Sequence, residues 1–235
     1  MNASANLPVS LTFDASAATT AWLNAFLATG QSEERQVLYR TMSVEFYPNG
    51  VQLIACDGTV LFRTWVPAGN AMLGAWPDAS VAPDATAVVM DADKFASTFM
   101  TTLRTAVSEF PTEITIAIDQ EESEQVSLSD DLVPNVLTLG ALGQHLHCRL
   151  LDQPYPSWRQ FRFGLDPAEL VDGLRLARRL FATVGKLRGV DGVDLSFHGE
   201  SNRIEFTTTG TAEVRGLLMP MRRTKDEASE DQDDK

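Results

Sequence analysis

Apolar and polar residues alternate along "VSLTFD", the period-2 pattern of a half-buried strand. The following "ASAATTAWLNAFLATG" switches to helical spacing. Trp22, Leu23, Phe26 and Leu27 share one face there, and Gly30 reads as the C-terminal stop. Alternation resumes in "MSVEFYPNGVQLIACDG", where Met42, Val44 and Phe46 alternate with polar residues and Pro48-Asn49-Gly50 makes a turn. "TVLFRTWVP" closes this first strand–helix–strands set, from about residue 7 to 67.

A Pro/Gly/Ala-rich connection over 68–83 leads to a second set, about 85–155. It opens with "ATAVVMDADKF" and continues into a predicted helix over about 92–107, with Phe95, Phe99 and Leu103 inward. "TEITIAID", "EQVSLSDD", "VLTL" and "QHLHCRLLD" follow as strands. The third set begins near Phe161. In "DPAELVDGLRLARRLFATVG", Asp166 caps, Pro167 takes the first helical position and Glu169 lies in the first turn. Leu170, Leu174, Ala177 and Phe181 form its apolar face, and "GVDLSFHG", "NRIEFTTTG" and "TAEVRGLLMPM" alternate as strands. The threefold recurrence points to duplication of one supersecondary unit.

Composition narrows the class. The 235 residues are 44% hydrophobic and 22% charged, as in soluble globular proteins, and suffice for a substantial core. No apolar run approaches the roughly 18 residues of a spanning helix, and "MNASANLPVSLTFD" has no signal-like core. The expectation is a cytoplasmic protein that meets no membrane. Cys56 and Cys148 show no ligand spacing, which leaves neither a disulfide framework nor a zinc site.

The formal charge of −13 opposes ordinary nucleic-acid binding, although the distribution of charge matters more than the sum. Residues 224–235 read as a solvated, disordered acidic tail. Against this background the third helix carries Arg175, Arg178 and Arg179 on one face, extended by Lys186 and Arg188, and the second carries Lys94 and Arg104. Two readings stand: the solvated side of each helix, or a cationic surface for a polyanion.

Catalytic chemistry is not indicated. There is no GxSxG, Walker loop or HExxH. His145 and His147 share a strand face as two metal ligands would. No third or fourth ligand is evident, so a polar strand face is the simpler reading. Glu121-Glu122 and Asp130-Asp131 read as solvated acids, and Asp57-Gly58 as a hairpin turn. A binding or structural protein without metal or cofactor is favoured over an enzyme. "GLLMPMRR" stands out, because proline ends a strand and methionine suits surfaces that accept several partners.

Three stretches carry a family resemblance. "LIACDGTVLF" resembles the "v-A-T-D-G-H-R-L-a" of the bacterial DNA polymerase III β subunit, the sliding clamp. "LDQPYPSWRQF" is similar to its "l-d-g-x-[FY]-P-D-Y-x-x-v", and "GLLMPMR" to its C-terminal "V-V-M-P-M-R-L". They occur in the family's order, and the match covers about Leu11 to Arg222, best against the middle and last clamp domains.

The resemblance implies an α+β clamp fold of repeated β-α-β-β-β units, with helices lining a central hole and sheets outside. It divides the chain into a full domain, 1–158, a shortened one, 159–223, and the tail. It implies a closed ring around duplex DNA, put there by a clamp loader, that tethers a replicative DNA polymerase. Family rings hold about twelve such units, so three per chain imply about four chains, a trimer being the alternative. A short acidic clamp would suit a phage, in an infected host, as well as a bacterial cell.

The family's motifs converge on a pocket for short peptides. Carried over residue by residue, it comprises Cys56, Gly58, Thr59, Val60, Leu61, Pro156, Phe161, Leu218, Met219, Pro220, Met221 and Arg222. The family's His-Arg is Thr59-Val60 here, which makes the groove more apolar, its Asp-Tyr is Ser157-Trp158, and its final leucine is Arg223. The DNA-facing set would be Lys94, Arg104, Arg175, Arg178, Arg179, Lys186 and Arg188. Because a half-domain is missing, an adaptor or decoy that binds clamp-seeking peptides without encircling DNA is the alternative.

Overall fold

The computed structural model describes residues 10–30, 40–69, 76–77, 81–89, 113–120, 135–141, 144–151, 155, 158–160, 178–198 and 203–219. The predicted helix over 92–107, the strand "EQVSLSDD", the start of the third helix and the acidic tail lie outside them.

The strands are β1 (Ser10–Asp14), β2 (Met42–Tyr47), β3 (Gly50–Cys56), β4 (Val60–Pro67), β5 (Ala85–Val89), β6 (Glu113–Gln120), β7 (Asn135–Ala141), β8 (Gln144–Arg149), β9 (Val190–His198), β10 (Arg203–Gly210) and β11 (Val214–Leu218). Helices α1 (Ala15–Phe26) and α2 (Arg178–Val184) accompany them. All pairings are antiparallel. One sheet runs β1-β6-β7-β8, the other β5-β2-β3-β4-β11-β10-β9.

The first two units exchange their leading strands. β1 leaves its own unit to pair with β6, and β5 leaves the second to pair with β2. The third unit joins the first through β11, which pairs with β4. One core then serves both sheets: Phe13, Ile116, Ile118, Leu137 and Leu139 from the smaller meet Val44, Leu53, Phe62, Ile204 and Phe206 from the larger.

Helix α1 starts where Asp14 caps it, its carboxylate accepting from the Ala17 amide at 2.8 Å. The face it buries differs from the predicted one. Ala15, Ala18, Ala21, Trp22 and Ala25 are buried, whereas Leu23, Phe26 and Leu27 are only half-buried. Small side chains let the helix lie close on the sheet. Thr64 of β4 touches its backbone, donating to the Ala21 carbonyl at 3.1 Å. The helix also ends at Phe26, short of Gly30, in a tightened turn with amides of Ala28 and Thr29 bonded to Ala25 and Phe26 carbonyls.

In α2 the buried residue is Leu180, and Phe181, predicted to face the core, is 53% exposed. The packing face is thus rotated by one residue; Val184 and Leu187 continue it. The Asn24 side chain ties α1 to the turn that follows α2, donating to the Arg188 carbonyl at 2.9 Å and accepting from its amide at 2.8 Å. Both helices therefore belong to the same, inner side of the seven-stranded sheet.

Candidate functional site

The β4–β11 seam brings two of the sequence stretches together. Leu61 lies opposite Leu217, Val60 opposite Leu218 and Arg63 opposite Arg215. The Met219 amide donates to the Thr59 carbonyl at 2.9 Å and carries the ladder one step further. The turn beside it is held by one carboxylate. Asp57 Oδ1 accepts from the Thr59 amide (2.8 Å), the Thr59 hydroxyl (2.7 Å) and the Val60 amide (2.9 Å). Gly58 sits at φ 86°, a left-handed conformation that favours glycine. At Gly216 a side chain would collide with the Phe206 ring and the Leu61 carbonyl, so β10, β11 and β4 close up only around a glycine.

The third stretch lies over this seam on the sheet's outer face. Ile54, Leu61, Leu217 and Trp158 form a second, smaller apolar cluster, flanked by Cys56 and Tyr155. Burial pushes the Tyr155 phenol well above its ordinary range. Strand alternation decides which residues share this face. Val60 and Leu218 belong to the other parity, and their side chains enter the main core. Val60 therefore does not make the outer groove more apolar.

Of the expected pocket residues, Cys56, Gly58, Thr59, Leu61 and Met219 lie at the turn or on the outer face. Pro156, Phe161, Pro220, Met221 and Arg222 lie outside the described residues. Ile54, Leu217, Tyr155 and Trp158 were not anticipated. Leu217 was readable: a two-residue period puts it, not Leu218, beside Leu61. Met219 is the apolar residue left open at the seam, 43% exposed.

A polar cluster holds Trp158 in place. Glu45, buried on β2, accepts from the Trp158 indole at 3.0 Å and from Tyr47 at 2.9 Å. Arg159 grips both its oxygens at 2.8 Å, a two-pronged charge-assisted contact. Burial, with the Glu45 charge beside it, pushes the Tyr47 phenol up to about 12.

Arg63 donates to Gln52 at 3.0 Å and stacks 4.0 Å from the Trp158 ring and 5.3 Å from Trp76. Burial, with Arg215 nearby, lowers its guanidinium to about 10. Arg215 covers the Trp76 ring at 4.6 Å, and the Trp76 indole donates to Glu213. The outer face at the seam thus offers an exposed methionine beside a frame of stacked arginines and tryptophans.

The described cations of the DNA-facing set lie elsewhere. Arg178, Lys186 and Arg188 are exposed on α2 and its following turn, on the helix side of the sheet. Lys94, Arg104 and Arg175 fall outside the described residues, as does the Arg179 side chain. His145 and His147 are exposed on β8, and His147 Nδ1 lies 3.0 Å from the Thr138 hydroxyl. Among the described residues there is no group of three or more potential metal ligands, and no helix long and apolar enough to cross a membrane.

No family model and no curated protein matches the sequence. Solved structures do match, across almost the whole chain. The sliding clamp of Pseudomonas aeruginosa superposes with a TM-score of 0.61 at 12% identity, over 95% of this chain and 69% of that one. The β sliding clamp of C. crescentus gives 0.59 at 10% identity, over 92% and 66%. The DNA polymerase III β subunit of Bartonella birtlesii gives 0.57 at 10% identity, over 95% and 68%. The chain spans about two thirds of each. In its fold, with exchanged leading strands, a shared core and the β4–β11 seam, the chain is similar to sliding clamps of the bacterial DNA polymerase III β type.

Proposed function

We propose that this chain is a processivity clamp, a ring of identical chains that encircles duplex DNA and docks replication proteins by short peptides at the β4–β11 seam. The observation that carries the reading is the seam itself: it draws "CDGTVLF", "GLLM" and the Trp158 segment onto one outer face, while Arg178, Lys186 and Arg188 are exposed on the helix side. A ring holds DNA topologically and needs no base-reading contacts, only a mildly cationic lining along which phosphates slide. The acidic remainder of the chain, −13 overall, discourages DNA contact elsewhere. The partners are a replicative polymerase and a clamp loader, the setting is the cytoplasm, and the role requires no catalysis or cofactor.

Retention on DNA tests the ring. Labelled protein is dissociated by dilution, reassembled with nicked circular plasmid and passed through a sizing column in high salt. The expected result is co-elution with circles and release once the plasmid is linearised. Equal behaviour on circles and linear DNA overturns it. Docking is tested by titrating an acidic peptide with apolar anchors against Met219→Ala combined with Met221→Ala. About tenfold weaker binding, of the order of 1.4 kcal/mol, is expected with the fold unchanged; equal affinity removes the site from the seam. Peptide binding without retention on circles selects the adaptor reading instead.

A further inference from the structure

β8 carries two histidines that the seam does not use. His145 and His147 are both exposed, and Gly140 and Thr138 of β7 lie directly opposite them. Leu137, Leu139 and Cys148 have the other parity and enter the core, so the histidines stand on the outer face of the four-stranded sheet. β8 is an end strand of that sheet.

Two details separate this pair from an ordinary polar strand face. His147 Nδ1 lies 3.0 Å from the Thr138 hydroxyl. His145 turns its Nδ1–Cε1 edge to Gly140, where a Cβ would lie 3.3 Å from Nδ1 and 3.4 Å from Cε1. The missing side chain lets that ring settle against β7. Both rings therefore present Nδ1 to β7, and among the described residues neither Nε2 has a hydrogen-bond or ion-pair partner.

We propose that His145 and His147 chelate one divalent ion of the zinc type through their Nε2 atoms. Two residues along a strand span about 6.6 Å. A tetrahedral ion with Zn–N bonds of about 2.0–2.1 Å needs its two nitrogens about 3.3 Å apart, so the rings lean toward each other to share it. Thr138 gives His147 the support that ligating histidines ordinarily have. With Nε2 on the ion, the ring keeps its hydrogen on Nδ1 and donates it to the hydroxyl. Imidazole selects zinc, copper or nickel over magnesium and calcium, which prefer oxygen. Cys148 is buried in the core and turned to the other face, so its sulfur does not compete. The remaining coordination positions go to water, and the net charge of −13 draws cations toward the chain. The inference is independent of the ring reading and survives its failure.

Zinc titration of the intact chain tests it by calorimetry, with excess magnesium present to occupy the carboxylates. One zinc per chain is expected. His145→Gln or His147→Gln should weaken binding by about tenfold or more, and Thr138→Val, close in shape, by about tenfold. The chain holds three histidines, so ring-proton NMR can follow each one. Zinc should shift the signals of His145 and His147 and leave those of His198, which is 6% exposed, in place. No binding, or unchanged affinity in any of these variants, overturns the proposal. So does half an ion per chain, which would mean an ion shared between two copies.

Discussion

Arg159→Leu removes the grip on Glu45 and is expected to cost about 2 kcal/mol. The guanidinium makes two contacts of 2.8 Å to a carboxylate that is almost wholly buried. Breaking a fully buried ion pair costs about 3–5 kcal/mol, and an exposed pair about 0–1. The Arg159 side chain is 34% exposed, which places this pair between the two. The loss has another potential source, because Arg159 also stacks 4.4 Å from the Trp158 ring and its stem contributes packing. A double-mutant cycle with Glu45→Gln separates them. Urea unfolding of the four proteins, followed by tryptophan fluorescence and circular dichroism, should give a coupling of about 2 kcal/mol if the ion pair carries the effect. A coupling below about 0.5 kcal/mol, within the range of independent sites, refutes the reasoning and assigns the loss to packing. If the ion pair anchors Trp158, the variant also uncovers Leu61 and Leu217 and binds a hydrophobic dye that the parent does not.

Tyr47 gives the fold an alkaline limit. Its phenol titrates at about 12 in the folded chain against about 10 unfolded, so its contribution is whole below pH 10 and is lost as pH rises to 12, by up to ~1.4 kcal/mol per pH unit. Tyr47→Phe should make the stability–pH curve shallower over that window, and an equally steep curve refutes this. Gly216→Ala drives a methyl into the Phe206 ring and should lower stability by about 1–3 kcal/mol; an unchanged urea midpoint would show that the strands can shift apart. Reversing Arg178, Lys186 and Arg188 to glutamate should leave stability within about 0.5 kcal/mol and lower the salt slope of DNA binding by roughly 0.9 per lost phosphate contact. An unchanged slope would remove these residues from the DNA path.

Local pattern and tertiary arrangement were unequally legible. β2–β3–β4 and β9–β10–β11 follow alternation and turn chemistry, because a hairpin is specified by neighbours in sequence. The exchange of β1 and β5 and the β4–β11 seam are contacts between distant segments, and no local period encodes them. For α1, residue size misled: hydrophobicity pointed to Leu23, Phe26 and Leu27, but close approach to β4 selects the alanines. Glu45 and Arg63 are charged residues of strands and are buried nonetheless, because a segment over 90 positions along the chain folds across them. Of the candidate site, the three stretches were visible. The lid role of Trp158 was not, since it depends on Glu45 as its acceptor.

The seam also sets an order of events during synthesis. β4 is complete at residue 67, but its partner strand ends at residue 218. At about 5–20 residues per second, its edge stays open for roughly 8–30 s while the chain between them is made. An unpaired edge is a template for wrong partners, above all a second nascent copy. Closing a loop of that length also adds an entropic delay after β11 emerges. The strand that completes the β4–β11 seam is therefore the strand whose late arrival limits how fast, and how cleanly, the first unit can be finished.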